Sequence, residues 1–295
     1  MPSISPPRVL LLLAPAVVVA ACRPHADSVG PPAGQRDESL EWELVWADEF
    51  DVDGRPSPSN WTYEIGFVRN EELQWYQPEN AICENGRLVL TARRERVANP
   101  HHQPDAAAWA KSRPHADYTS ASLTTRGLHQ WCYDRFEMRV RIDTRAGLWP
   151  VFWTLGVSGE WPHCGEIDIM EYYRGTLLAN AFWGSQQKWV PVSSIHRLPL
   201  DRFDDPAWSS RFHVWRMDWD ERWIQTLIDD MPLCRIDLNR THNEDQAGEN
   251  PLRRPHYLLL SLAVGGTQGG DPTMTAFPAK FEVDYVRVFR QRAGP

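Results

Sequence analysis

The chain has 295 residues, enough for one large all-β domain or two small ones with a substantial core. Its 42% hydrophobic content excludes a disordered chain. With 39 acidic against 31 basic residues, the net charge of -8 argues against a nucleic-acid partner and, to a lesser degree, against a polyanionic one.

At the N-terminus, Arg8 precedes "VLLLLAPAVVVAAC", an apolar run too short to span a bilayer comfortably. Its end, Val19-Ala20-Ala21-Cys22, resembles the bacterial lipobox. Residues 1–21 are then a lipoprotein signal peptide, and Cys22 becomes the lipidated N-terminus; the alternative is an ordinary secretory signal with Cys22 as a neighbour. Arg23 is not the Asp that favours inner-membrane retention, so the expected location is the cell envelope, at the outer membrane if there is one, or the cell surface. Residues 22–39, rich in Pro, Gly and charge, read as a flexible tether. Residues 40–292 form the remaining domain, expected as a monomer.

From Leu40 onward the pattern is short alternating runs. In "RLVLTARRE", Leu88, Leu90 and Ala92 share a face. "RERVANPHHQPDAAAWAKSRPHAD" breaks the alternation and reads as a long loop, with a helical turn at Ala106 to Lys111. "YDRFEMRVRID" sets Phe136, Met138, Val140 and Ile142 against Arg135, Glu137, Arg139 and Arg141. Phe212 to Asp230 reads as a hairpin, and "KFEVDYVRVFR" alternates again. About fourteen strands without long helical periodicity predict an all-β sandwich or jelly roll of two antiparallel sheets. Cys83, Cys132, Cys164 and Cys234 have no tight pair spacing, which argues against zinc and leaves disulfides and buried thiols both open.

The segment "WPHCGEIDIMEYY" places Glu166, Asp168 and Glu171 within six residues, with no Lys or Arg among them. Like charges this close repel, so the arrangement does not serve stability. On a strand Glu166 and Asp168 share one face, opposite Ile167 and Ile169. Strict alternation would turn Glu171 to the isoleucine side. A one-residue bulge near Ile169 or Met170 would return it to the acid face. Upstream, "GLWPVFWTLG" puts Trp149 and Trp153 on one face of another strand. Fifteen tryptophans suit both a core and flat platforms for sugar rings. Acids and tryptophans facing one groove are what glycosidic-bond cleavage needs: a proton donor for the leaving oxygen and a carboxylate for the anomeric carbon, about 5–5.5 Å apart when configuration is retained.

These segments together, with "LVWADEFD", "NEELQWY", "YTSASLTTRG", "FHVWRMDWD", "LAVGG" and "FEVDYVRVF", resemble glycoside hydrolase family 16 in its bulged, laminarinase-like branch. The resemblance implies a β-jelly roll whose concave groove binds a β-glycan chain and cuts it internally with retention. It implies Glu166 as nucleophile, Glu171 as acid/base and Asp168 as the residue tuning the nucleophile, with no catalytic cofactor. Trp149 and Trp153 would stack sugars. Asn70, Glu72 and Trp75 lie in a groove-lining motif, with Glu71 where a second Asn is common. Trp131 precedes a groove-facing strand. Asn180 and Trp183 occupy a strand where laminarinases often carry His, a departure on the leaving-group side. A structural calcium is implied at Glu49, the Gly86 carbonyl and Asp284; the alternative is that both acids pair with arginines. The expected substrate is a β-1,3- or mixed β-1,3/1,4-glucan. A non-catalytic glycan-binding protein, a transglycosylase and a galactan hydrolase are the alternatives, the last with Arg174 as the nearby basic residue.

Overall fold

The computed structural model describes residues 41–246 and 248–292, so Cys22 and the expected signal peptide and tether lie outside the described residues. Two large antiparallel sheets dominate. One has seven strands in the order Pro191–Pro199, Thr176–Gly184, Glu166–Tyr173, Leu148–Gly156, His256–Val264, Ser122–Thr124 and Thr62–Tyr63. The other has eight. Its path runs Met231–Asp237, Trp223–Ile228, His213–Trp219, Arg135–Ile142, Ala279–Gln291, Leu88–Ala92 and Ala81–Cys83, with Trp42–Asp48 also pairing to Ala279–Gln291.

The predicted alternation holds where one strand face meets solvent. Phe136, Met138, Val140 and Ile142 are all buried, and they meet Phe281, Val283, Val286 and Val288 of the long neighbouring strand in the core. The hairpin closes with Trp215 opposite Ile228. The core fills the space between the sheets, with Phe152, Ile167, Ile169 and Met170 from one and Trp215, Met217 and Trp219 from the other. Packed against each other, these faces exclude water over most of both sheets, the main stabilising term in such a sandwich.

The central strands of the seven-stranded sheet are buried on both sides. On the face away from the main core, Trp149, Val151, Trp153, Tyr257, Leu259 and Ala263 form a second apolar cluster. This cluster is the floor of a groove. The loop after Arg94 buttresses one end of it. Val97–Ala98 pairs with His115–Ala116, and a single helical turn, Trp109–Ser112, covers the second half of the predicted one and runs one residue past it. Arg113 lies over the rings of Phe67 and Trp109 and donates to the carbonyl oxygens of Glu71 and Glu72, at 3.0 and 2.5 Å. The corner that presents Asn70 and Glu72 to the groove is thereby fixed.

Candidate active site

The acid strand, Glu166–Tyr173, carries the predicted bulge. Against Leu148–Gly156, Met170 pairs with Phe152 and Asp168 pairs with Trp153, which leaves Ile169 without a partner. Against Thr176–Gly184 the register shifts between Asp168 and Glu171. Ile169 and Met170 both face the main core at 0% exposure, so two consecutive side chains point the same way. The extra residue returns Glu171 to the face of Glu166 and Asp168. Gly165 sets the start of this strand: its φ of +81° is strained for other residues, and a Cβ there would sit 2.9 Å from Pro251.

Each carboxylate has a fixed donor. The Trp161 indole donates to Glu166 Oε2 at 2.6 Å, and the Trp149 indole donates to Glu171 Oε1 at 2.8 Å. Asn180 Nδ2 donates to both Asp168 Oδ2, at 3.0 Å, and Glu171 Oε2, at 2.6 Å. These acids face a groove of about 680 Å³, a size suited to several ligand units. Trp153 lies beneath the Arg69 guanidinium, 4.8 Å from the ring centre, and donates to Ser261 Oγ at 3.2 Å. Arg69 itself pairs with Glu64. Asn70 and Gln74 donate to the two oxygens of Glu72, at 3.3 and 2.7 Å, and hold it against the groove wall.

The family model described as Glycosyl hydrolases family 16 matches residues 69–287. The chain belongs to that family. It is 37% identical over 279 residues to a beta-glucanase from Rhodothermus marinus, covering 86% of this chain and 87% of the relative. Among solved structures, it matches the catalytic domain of an endo-1,3-beta-glucanase (laminarinase) from Thermotoga petrophila RKU-1 with a TM-score of 0.72 and 32% identity, over 86% of this chain and 100% of the other. A structure described under endo-acting O-glycanases that members of the human gut microbiota express to initiate mucin breakdown matches with a TM-score of 0.77 and 32% identity, over 89% and 94%.

In this family-16 site, burial and crowding keep protons on the acids. Burial pushes Glu171 up to about 8, aided by the Asp168 charge and opposed by the Trp149 and Asn180 hydrogen bonds. Burial likewise raises Asp168 to about 6, against the hydrogen bonds from Asn180 and Glu166. Glu166 moves well above the usual carboxylate range through burial and the charges of Asp168 and Glu171, with Trp161 opposing. Three acids sharing a dry site cannot all ionise, so at neutral pH the cluster retains protons.

The groove of this family-16 domain contains Glu166, Asp168, Glu171, Trp149, Trp153, Asn70, Glu72 and Asn180 from the residues that the sequence singled out. Three others are corrected. Trp75 is buried away from the groove, packed edge-on to Phe67 and above Gly66. Trp131 belongs to the main core, beside Trp46 and Phe136. Trp183 also points into that core, because its strand alternates: Asn180 and Phe182 face the groove, while Ala179, Ala181 and Trp183 face inward. Residues that the sequence did not single out complete the walls, namely Arg69, Trp161, Tyr173, Phe182, Arg197 and Trp189. Counting two steps from Asn180 finds Phe182, whereas Trp161 lies in a turn where parity gives no guide.

The calcium that the resemblance implies finds no ready ligand set. Both oxygens of Glu49 accept from Arg287, at 2.8 and 2.9 Å, and Asp284 accepts from Arg139 at 2.5 Å. Gly86 sits in a tight turn with φ of +66°. Among the described residues, no group of three His, Cys, Asp or Glu side chains could hold a metal.

Proposed function

We propose that this domain is a retaining endo-acting glycoside hydrolase that cuts a β-glucan with β-1,3 or mixed β-1,3/1,4 links. The observation that carries the reading is the bulge that brings Glu166 and Glu171 to one groove face with Asp168 between them. Glu171, buried and holding its proton up to about pH 8, gives that proton to the leaving oxygen. Glu166 attacks the anomeric carbon and forms a covalent glycosyl-enzyme. In the resting cluster Glu166, the more strongly raised of the two, holds the proton it shares with Asp168, and it hands that proton to Asp168 to attack as a carboxylate. Glu171, now ionised, takes a proton from the water that resolves the intermediate. An open groove with tryptophans on its floor fits cutting within a chain. No step needs a cofactor. The names of the Rhodothermus and Thermotoga relatives support the β-glucan assignment.

One observation favours a second reading, an O-glycan or galactan chain. Asn180 and Phe182 stand on the groove face of the strand where laminarinases often carry His, and the structure with the TM-score of 0.77 is described under O-glycanases. A panel of laminarin, cereal mixed-linkage glucan, agarose, carrageenan and mucin glycans, with product sizing, tests both. Mixed-length oligosaccharides should appear early from laminarin or cereal glucan. Release from mucin glycans alone would reverse the order of the two readings.

Two further proposals rest on the sequence. The Val-Ala-Ala-Cys motif supports a lipid anchor at Cys22, so Cys22→Ser should move the protein from the membrane to the soluble exported fraction. The structural calcium rests on the resemblance alone and would have to displace Arg139 from Asp284. A calcium-dependent rise in Tm, reversed by EDTA, is its test.

A further inference from the structure

Asn180 is placed at a cost. It is 2% exposed, and its Nδ2 is spent on Asp168 and Glu171. Its carbonyl oxygen is buried with no hydrogen-bond partner. Leaving a buried acceptor unpaired disfavours folding. A residue chosen for stability would not hold an orphaned oxygen beside two crowded acids. Asn180 also sits directly opposite Asp168 in the strand register, and it takes the one oxygen of Glu171 that the Trp149 indole leaves open.

We propose that Asn180 is a positioning residue that binds Asp168 and Glu171 into one hydrogen-bonded unit and sets how readily Glu171 releases and regains its proton. The single amide donor reaches one oxygen of each acid. A negative charge that develops on Glu171 as it protonates the leaving group is met by the Asn180 and Trp149 donors together. The inference rests on the assignment of Glu171 as acid/base. The other groups that bear on Glu171 are Glu166, Asp168 and Tyr173 on its own strand, Arg197 on the edge strand, and Arg69 and Glu72 from the loop across the groove.

The test compares Asn180→Leu and Asn180→Asp with the parent. Removal of a hydrogen bond to a charged group is worth about one pH unit. The basic limb of kcat against pH should therefore move up by about one unit in Asn180→Leu, and further in Asn180→Asp, where a fourth acid joins the cluster. The kcat at neutral pH should fall about tenfold or more, with KM little changed. Asn180→Leu strips a donor from two buried acids and should lower Tm in either case, so the discriminating readout is the pH profile, which a merely structural residue would not move. An independent reading comes from 13C NMR titration of the Glu171 carboxyl, assigned by its loss in Glu171→Gln. A shifted Glu171 titration with an unchanged rate profile would keep the Asn180 link and overturn the role of Glu171. An unmoved Glu171 titration in both variants would overturn the proposal itself.

Discussion

Removal of the Glu166 or the Glu171 side chain should stop turnover in chemically different ways. With a substrate carrying an activated leaving group, Glu171→Ala can still form the glycosyl-enzyme, and azide, which needs no general base, should release a β-glycosyl azide. In Glu166→Ala, azide fills the vacated space and attacks once, giving the α-anomer. NMR of the products distinguishes them, and reversed anomers would exchange the two roles. The proton that Glu171 holds also has a thermodynamic consequence. Its folded-state titration at about 8 lies above the ordinary Glu value of 4.5, so the unfolded chain ionises first as pH rises. The stability this group contributes is complete below about pH 4.5 and is lost progressively towards pH 8. Glu171→Gln removes that loss. Its Tm should exceed the parent's at pH 8, with the gap closing near pH 4.5, as measured by thermal denaturation across that range. An unchanged gap would show that Glu171 does not carry the buried proton. Its activity should be nearly absent at both ends, because Gln cannot donate the proton.

At the level of strands, the bulge is an added residue whose removal leaves a workable pattern. Deletion of Met170 converts E-x-D-x-x-E to E-x-D-x-E, and strict alternation then places all three acids on the groove face without a bulge. The deletion also costs a fully buried Met side chain, about 2–5 kcal/mol. The shortened protein should fold with a lower Tm and keep weak activity with retention; a fully folded variant with no activity at all would show that the bulge itself sets the geometry. The bulge was legible because three acids demand one face and Glu171 has the wrong parity. The tryptophans were less legible for a physical reason. The strand Thr176–Gly184 is apolar on both faces, so hydrophobicity alone does not tell Phe182, which lines the groove, from Trp183, which enters the core. Parity came instead from the Asp168–Asn180 pairing, which only the fold supplies. Trp75 and Trp131 misled in the same way: a large aromatic beside the motif satisfied both readings, and packing decided, Trp75 against Phe67 and Gly66 and Trp131 into the main core beside Trp46 and Phe136. Glu49 and Asp284 pair with Arg287 and Arg139, contacts that depend on how the outer strands align and that the sequence alone does not reveal.

At the scale of the whole fold, the two-sheet core leaves the four cysteines among the described residues unpaired. Cys83, Cys132, Cys164 and Cys234 are all free thiols, and three of them are buried. Burial comes first among the causes that raise each one, Cys83 to about 12 and the other three to about 11. A thiol that resists ionisation is a poor nucleophile, because the thiolate is the reactive form. Small exported domains often need disulfides because their cores are thin. Here the continuous core draws on both sheets, with Trp215, Trp219, Phe136, Phe152 and Phe281 fully enclosed, so a covalent staple adds little to what packing already supplies. Reducing agent should therefore leave the Tm unchanged. Ellman's reagent should react slowly with the native protein, at most at the partly exposed Cys132, and count the remaining thiols only after unfolding. A Tm lowered by dithiothreitol, or a deficit of thiols in the denatured protein, would mean that at least one pair is oxidised in the folded domain.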